Sequence, residues 1–175
     1  MAAERPRERD HVDQFLETLD LPGMDLAVEG IVDRIGGLAR RLRRNLEQTL
    51  VEFDLSIGEW WTLTALYNAG APYRRSPGFL AARTELSSGA MSSRLDGLEE
   101  HGLVRRLRHP TDRRSVQVEL TEVGLETWRL AGAATAKRES MVAAALTARE
   151  KERLNDLLRR MMLAFEEQDR AHGEG

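Results

Sequence analysis

The sequence of 175 residues contains no cysteine. This absence excludes disulfide bonds, thiolate metal sites and redox sensing through a thiol of this chain. Long apolar runs are missing too, because no stretch reaches the ~18 consecutive apolar residues of a transmembrane helix. The N-terminal residues are charged and unlike a signal peptide. We therefore expect a soluble, cytoplasmic protein that makes no contact with a membrane.

Sequence patterns of catalysis are missing as well. None of the four histidines accompanies a nucleophile or a paired acid in a catalytic motif; they are His11, His101, His109 and His172. The chain also lacks the phosphate-binding P-loop, the glycine-rich dinucleotide motif and the nucleophile elbow of hydrolases. The sequence therefore predicts that the protein is not an enzyme and that it carries no cofactor.

The chain as a whole has no excess of positive charge, but one segment of it does. The net charge is −3, which excludes a generally basic protein that coats nucleic acid. However, residues 101–116 contain a single acid, Asp112, and five arginines: Arg105, Arg106, Arg108, Arg113 and Arg114. The chain is long enough for one domain with its own core. Local positive charge on such a domain is typical of a site-specific binder of a polyanion.

The segment 86–121 combines the signals of a helix and a β-hairpin. Ser87 or Ser88 can cap a helix, and Gly102 stands where a left-handed residue usually ends one. Between them, apolar residues recur at helical spacing, at Met91, Leu95 and Leu98. A helix over residues 87–101 is therefore predicted, with one apolar face and one polar face.

The polar face of this helix begins with small residues and then carries an arginine. Small side chains allow a helix backbone to approach a DNA groove, and hydroxyls and a guanidinium can contact phosphates and base edges. We therefore predict DNA contacts for Ser87, Ser88, Gly89, Ser92, Ser93 and Arg94. The alternative is a short amphipathic helix whose polar face is simply solvated.

Residues 103–120 predict two strands joined by a tight, basic turn. Both runs are rich in β-branched and apolar residues, and Pro110 and Asp112 are typical turn residues. A hairpin this small must point its arginines at solvent or at a polyanion. An arginine at its tip can enter a minor groove, held there by a nearby carboxylate. We predict this role for Arg114, oriented by Asp112, and phosphate contacts for Arg108 and Arg113; the alternative is a plain turn with solvated arginines.

The motifs LSSGAMSSRLDGLEEHGLVRR and DRRSVQVELTEVG resemble those of the MarR family of winged helix-turn-helix transcriptional regulators. The resemblance covers roughly residues 25–170. It implies a mainly α fold with a small β-hairpin wing, in which a winged helix-turn-helix lobe carries N- and C-terminal dimerisation helices. It also implies a homodimeric repressor that binds double-stranded DNA at a pseudo-palindromic operator and is released by a small, often phenolic or aromatic, ligand.

On this basis the chain divides into four parts. They are a disordered tail at 1–10, N-terminal dimerisation helices at 11–51, a DNA-binding lobe at 52–121 and C-terminal dimerisation helices at 122–171. Within the lobe, we expect the recognition helix at 87–101 and the wing at 103–120.

Local patterns predict where the other helices begin and end. Ser56 and Thr147 each open a capping box, and Ser76 precedes a proline as a helix start. We expect helices over residues 11–21, 25–51, 56–69, 79–84 and 121–146, followed by a last helix with a wide apolar stripe. A terminal helix this apolar needs a partner surface. The pair Gly36-Gly37 interrupts the long helix, and the sequence assigns it no role.

The resemblance places an effector between the dimerisation helices and the DNA-binding lobe. The candidate lining residues are Arg34, Trp60, Trp61 and Tyr67. Ordinary core packing is the alternative for each aromatic residue. Two other functions stay open. One is a zinc-type metal-responsive regulator of the same fold, with ligands such as His101 or His172, although their spacing is not diagnostic. The other is a winged-helix protein-interaction module that does not bind DNA.

Overall fold

A computed structural model describes residues 8–108 and 116–173. The chain forms two compact units, residues 1–131 and 132–175. The described elements are α1 (His11–Leu16), α2 (Leu26–Val51), α3 (Ile57–Tyr67), β1 (Arg74–Arg75), α4 (Pro77–Arg83), α5 (Ser88–Glu100), β2 (Val104–Arg108), β3 (Val116–Leu120), α6 (Glu122–Arg138), α7 (Ser140–Ala145) and α8 (Ala148–Gly173). The predicted fold class, mainly α with a small β-hairpin wing, is confirmed. No helix in the described ranges is both long and apolar enough to cross a membrane.

Serine side chains cap three helices of the first unit at the predicted positions, Ser56, Ser76 and Ser87. Ser56 Oγ accepts a hydrogen bond from the backbone N–H of Glu59 at 3.2 Å, and the Glu59 carboxylate accepts one from the N–H of Ser56 at 2.8 Å. Ser87, and not Ser88, caps α5 by accepting from the N–H of Ala90 at 3.2 Å. These caps satisfy N–H groups that no helical carbonyl can reach.

The core of the first unit fixes the orientation of α5. Side chains without solvent exposure meet there from α3, α4, α5 and β3; they are Leu63, Leu66, Leu80, Met91, Leu95, Leu98 and Val118. Burial of each large apolar side chain contributes about 1.5–3 kcal/mol to folding. Three of these side chains come from a single face of α5, so the core determines which face of that helix points outward.

The three strands form an antiparallel sheet in the order β1-β3-β2. In the hairpin, Val104 lies opposite Leu120 and Arg106 opposite Val118. β1 adds a short edge in which Arg74 lies opposite Glu119. β1 has no signal in the sequence, because a strand of two residues is too short to show alternation of polar and apolar residues.

The N-terminal region differs from the prediction in two ways. Disorder is expected for residues 1–10, yet Asp10 is ordered and caps α1 by accepting from the N–H groups of Val12 and Asp13; residues 1–7 lie outside the described residues. α1 also ends at Leu16 and not near residue 21. The Thr18 hydroxyl donates to the carbonyl of Phe15 at 2.7 Å, a local bond that competes with helix continuation.

The first turn of α6 packs unusually close to the chain just before β2. Thr121 Oγ1 accepts from the N–H of Gly124 at 2.9 Å, which confirms the predicted cap. A Cβ atom added at Gly124 would overlap the backbone carbonyl of Leu103. Only glycine therefore allows this approach between the first turn of α6 and the chain before β2.

The continuous helix predicted over residues 121–146 is wrong. α6 ends at Arg138, and α7 is a separate short helix. Between them, the N–H of Glu139 donates to the carbonyl of Thr135, but the N–H of Val142 donates to the carbonyl of Glu139. The second bond spans three residues and tightens the turn, which interrupts the α-helical pattern.

The second unit contains α7 and α8. Thr147 and Glu150 form the predicted capping box, with the Glu150 carboxylate accepting from the N–H of Thr147 at 2.8 Å. Along α8, several large apolar side chains are exposed, most of them at helical spacing: Leu154, Leu157, Leu158, Met162, Leu163 and Phe165. A helix of this kind carries a stripe that is ready to pack against another surface.

Candidate nucleic-acid interface

The outward face of α5 is small and polar. The buried side of the helix holds Met91, Leu95 and Leu98, so its other side is left to solvent. The predicted residues on that side are all exposed: Ser87, Ser88, Gly89, Ser92 and Ser93. The structure thus brings five of the six predicted helix residues to one accessible face, without a bulky side chain that would hold the backbone away from a ligand.

Arg94, the sixth predicted helix residue, is half-buried beside α3. Its guanidinium lies against Gly58, where a Cβ atom would overlap the Arg94 nitrogens. The contact with Gly58 has no signal in the sequence, because a glycine in the first turn of a helix does not reveal which side chain packs against it. Contact between Arg94 and DNA therefore stays a prediction.

A sharp turn joins α4 to α5 and completes a helix-turn-helix arrangement. Glu85 adopts a left-handed backbone conformation with φ of 55°. The N–H of Leu86 donates to the carbonyl of Ala81 at 2.9 Å, which closes the end of α4 onto the turn. The chain is then redirected so that α5 can present its serine face.

Arg106 connects the base of the wing to α5. Its backbone N–H donates to Glu99 Oε1 at 2.9 Å, and its Nη1 donates to Glu99 Oε2 at 2.6 Å. Its Nη2 lies 2.7 Å from Asp96 Oδ1 and donates to the carbonyl of Ser92 at 3.2 Å. The backbone hydrogen bond from Arg106 is the main reason that the pKa of Glu99 is lowered. These contacts attach strand β2 to the predicted recognition helix.

Glu119 connects all three strands. It is buried, and its carboxylate lies 2.6 Å from Arg105 Nε and 3.0 Å from Arg74 Nη2. Burial alone would raise the pKa of Glu119, but the hydrogen bonds from the two arginines outweigh it and lower the pKa. The base of the hairpin is therefore held by charged hydrogen bonds on both sides of β3.

These two clusters correct the expectation that all five wing arginines point at solvent or at a polyanion. Arg105 and Arg106 have carboxylate partners within the chain. The observed register places Arg105 opposite Glu119. Symmetric pairing of residues 103–108 with 115–120 would have placed Arg105 opposite Val118, so the sequence carried only a weak signal of this contact. The contact between Arg106 and Glu99 had none, because it depends on how the chain reverses at Gly102.

The tip of the wing lies outside the described residues. The backbone of Arg108 pairs with Val116 at the end of β2. Asp112, Arg113 and Arg114 belong to the undescribed segment, so their predicted contacts, and that of the Arg108 side chain, stay predictions.

The four candidate effector residues lie in three different surroundings. Trp60 is buried and stacks on Trp128 at a centroid distance of 5.8 Å, and Tyr67 stacks on the same ring at 3.6 Å. Trp61 is exposed and lines a cavity to which the other three residues do not contribute. Arg34 pairs with Asp10 at 2.9 Å and with Asp13 at 2.6 Å. The structure does not bring the four residues together. Trp60 and Tyr67 pack in the core, which is the alternative to their lining an effector site.

Side chains that could bind a metal ion do not cluster in the part of the chain that the structure describes. No group of three or more histidine, aspartate and glutamate residues in that part could hold a metal ion. The Nδ1 atoms of His101 and His172 lie 2.8 and 2.7 Å from carbonyls four residues earlier on their helices. These two candidate ligands therefore face their own backbone.

Comparisons with known proteins match this arrangement. The model of the MarR family matches residues 53–115, which contain α3 to β2. The HTH-type transcriptional regulator PecS of Dickeya dadantii is 29% identical over 119 residues, which cover 63% of this chain and 72% of PecS. An uncharacterised HTH-type transcriptional regulator of Mycobacterium leprae, ML2140, is 34% identical over 119 residues, covering 68% of this chain and 78% of its own length. The chain belongs to the MarR family.

The fold of this MarR-family chain agrees with solved structures. The crystal structure of wild-type MarR from E. coli in its apo form is similar with a TM-score of 0.63 and 25% identity, covering 74% of this chain and 94% of that chain. Homologues in the MarR family are transcription regulators and not enzymes. This MarR-family protein is accordingly a DNA-binding regulator with a winged helix-turn-helix lobe.

Proposed function

We propose that this MarR-family protein is a homodimeric repressor that binds a pseudo-palindromic operator and is released by a small ligand. The observation that carries this proposal is the exposed serine face of α5, which is held in place by the three buried side chains on the opposite face. In a helix-turn-helix protein, the second helix enters the major groove. A face of serines and glycine allows close approach and offers hydroxyls to base edges.

The wing is proposed to contact the DNA beside each recognition helix. Arg114 enters the flanking minor groove, where negative potential is concentrated, and Asp112 orients its guanidinium. Arg108 and Arg113 neutralise phosphates. The attachment of β2 to α5 through Arg106 supports this arrangement, because it fixes the wing base relative to the helix that would occupy the major groove.

A second copy of the chain is the proposed partner of the exposed apolar stripes. α8 exposes large side chains at helical spacing, and α2 exposes several more: Leu26, Val28, Ile31, Val32, Ile35, Leu38 and Leu42. Apolar surface of this extent usually marks a protein interface. Two-fold symmetry of a dimer would place two recognition helices about 10 bp apart on the duplex, which is the reason for a pseudo-palindromic operator.

The ligand response is proposed to act as a population shift. A small aromatic ligand that binds better to a dimer with the wrong spacing of its two DNA-binding lobes would draw the protein away from the operator. As a regulator of chromosomal DNA, the protein is proposed to act in the cytoplasm.

The test is binding of the full-length protein to a labelled duplex from the region upstream of its own gene, followed by fluorescence anisotropy. A scrambled duplex of the same composition is the control. We expect one dimer per duplex by light scattering, a clear preference over the scrambled duplex, and affinity that falls steeply with salt because several phosphates are contacted. Equal affinity for both duplexes, or a protein that stays monomeric on DNA, would contradict the proposal.

A further inference from the structure

Four aromatic rings form one stack in the first unit. The ring of Trp128 in α6 stacks on two rings of α3, with centroid distances of 5.8 Å to Trp60 and 3.6 Å to Tyr67. The ring of Tyr73, which lies just before β1, stacks on Tyr67 at 5.7 Å. This aromatic stack therefore joins α3, α6 and the chain that leads into the sheet.

A hydrogen bond holds Trp128 in the aromatic stack. Its indole Nε1 donates to Thr64 Oγ1 at 3.0 Å, and Thr64 lies on α3 between the two residues that the Trp128 ring contacts. An aromatic pair favours particular arrangements of its rings, and the hydrogen bond restricts how the indole can slide over them. α6 is therefore held at a defined position on α3.

Tyr73 belongs both to the aromatic stack and to the surroundings of the wing. Its carbonyl accepts a hydrogen bond from the N–H of Leu120 in β3 at 3.2 Å. The next residue, Arg74, pairs with Glu119 of β3 at 3.0 Å, and Glu119 contacts Arg105 of β2 at 2.6 Å. A continuous series of contacts therefore runs from the aromatic stack through Tyr73 to both strands of the wing.

The backbone of Tyr73 is strained. Its φ of 59° lies in the left-handed region, which is uncommon for a residue with a bulky side chain. Such a conformation persists only where the surrounding structure holds it. Here the N–H of Tyr73 donates to the carbonyl of Gly70 at 2.6 Å, while Tyr67 holds its ring and Leu120 its carbonyl. Tyr73 is thus fixed by three contacts at once, and a displacement of its ring would also displace its bond to β3.

The hairpin is attached to the lobe at both of its strands. Arg106 attaches β2 to α5 through Glu99, and Tyr73 attaches β3 to the aromatic stack. A hairpin that is held at one strand only can rotate about that attachment. The orientation of the hairpin is therefore set by α5 and by the aromatic stack together.

We propose that Tyr73 and Trp128 are positioning residues of the wing: the aromatic stack transmits the position of α6 to β3 and so sets where the wing meets the operator. The proposal rests on the proposed function, because the wing contacts DNA in that function. Neither side chain needs to touch DNA. When the aromatic stack is broken, β2 stays attached to α5 but β3 is released from α6, so the wing loses its DNA contacts while the serine face of α5 keeps its own.

The first experiment follows amide hydrogen exchange of the full-length protein without DNA. In Tyr73→Leu and in Trp128→Leu, we expect the amides of β3 to exchange about three- to tenfold faster, as for the loss of one aromatic pair, and to be accelerated more than those of α5. Tyr73→Phe keeps the ring and should exchange as the unmodified protein does. Leu80→Val changes a fully buried position of α4 outside the aromatic stack. It is the control for general destabilisation and should accelerate β3 and α5 alike.

The second experiment measures operator binding by fluorescence anisotropy. We expect Tyr73→Leu to weaken binding about tenfold and Tyr73→Phe to leave it unchanged. Arg114→Ala removes the predicted minor-groove contact of the wing, so adding Tyr73→Leu to this variant should weaken binding little further. A role of Tyr73 in general folding would instead lower the affinity by the same factor with and without Arg114.

Two kinds of result would overturn the proposal. One is absent acceleration of β3, or equal acceleration of β3 and α5, in Tyr73→Leu, because the aromatic stack then does not hold β3 in particular. The other is unchanged operator affinity in Tyr73→Leu, or a loss that is fully additive with that of Arg114→Ala. The exchange experiment contains no DNA and tests the attachment of β3 even where no operator is bound. A failure of the proposed function is therefore distinct from a failure of this proposal.

Discussion

The Glu99 carboxylate accepts two hydrogen bonds from Arg106, one from the backbone N–H at 2.9 Å and one from Nη1 at 2.6 Å. Glu99 lies in the last turn of α5 and Arg106 in β2. A single carboxylate thus holds both the backbone and the side chain of the strand that leads to the wing. α5 and the wing base are therefore fixed relative to each other by charged hydrogen bonds.

Replacing Arg106 by glutamine should lower both stability and operator affinity. The Arg106 side chain is 27% exposed and its carboxylate partners are more so. Because solvent screens them, we expect a loss of about 1 kcal/mol in the free energy of unfolding, below the ~1.5–3 kcal/mol of buried charged hydrogen bonds. Operator affinity should fall as well, because the wing base is no longer held to α5. Urea unfolding and anisotropy measure the two effects.

The control for this change is Arg129→Gln, which removes a loose surface pair with Glu126 at 3.8 Å. Such pairs contribute little, so this variant should match the unmodified protein in both measurements. If Arg106→Gln behaves like the control, the attachment of the wing base does not matter for DNA binding.

Gly124→Ala should destabilise the first unit. The added Cβ would overlap the carbonyl of Leu103, and backbone cannot move aside as a flexible side chain can. We expect a loss of about 1–3 kcal/mol in the free energy of unfolding, as for other overpacked sites. Gly97→Ala is the control, because its Cβ would meet only Glu59 Oε1 at 3.8 Å, and alanine favours a helix. A variant at Gly124 as stable as the one at Gly97 would disprove the close approach of α6.

Arg34→Gln should release α1 from α2. The hydrogen bond from Arg34 is the largest reason that the pKa of Asp10 is lowered from 3.8 to about 2. Because the folded-state pKa is depressed, this contact stabilises the docked helix above about pH 4, and its contribution is lost as the pH falls through 3.8 towards about 2. Hydrogen exchange of residues 11–16 measures the release. We expect faster exchange at neutral pH in the variant, and in the unmodified protein only at low pH.

The comparison for α1 is Arg41→Gln. Arg41 lies on the same helix as Arg34, and among the described residues its side chain donates only to the carbonyl of Gly37, at 3.5 Å. Exchange of α1 should not change in this variant. Identical exchange in both variants would mean that the pairing with Asp10 and Asp13 does not hold α1 in place.

Local chemistry allowed much of the first unit to be predicted from the sequence. The cap at Ser87, the apolar spacing of Met91 and Leu95, and the left-handed Gly102 each act within one or two turns of chain. Together they gave α5 to within one residue at each end. The exposure of the predicted serines followed from the same spacing, since residues between apolar positions must lie on the other face.

Contacts that depend on tertiary structure were not predictable in this way. Arg34 was assigned to a ligand pocket because nothing in the sequence shows that Asp10, far from it along the chain, returns to pair with it. Trp60 and Tyr67 were assigned similarly, although both stack on Trp128 of α6. Trp128 is far from both residues along the chain, and only the packing of α6 against α3 brings its ring to them.

Arg114→Ala tests the wing, whose tip lies outside the described residues. Loss of an arginine from a minor groove should weaken operator binding by about 1–3 kcal/mol while the dimer stays intact. Light scattering and anisotropy measure the two properties. Unchanged operator affinity would remove the wing from the proposed interface.

The serine face of α5 is proposed to contact the operator bases, and a glutamate placed on this face tests that role. Ser92→Glu adds negative charge where phosphates and base edges would lie, and Ser140→Glu adds the same charge to an exposed serine of α7. Operator affinity measured by anisotropy should fall by about 1–3 kcal/mol or more in the first variant and stay unchanged in the second. Equal affinity of the two variants for the operator would contradict the assignment of α5 as the recognition helix.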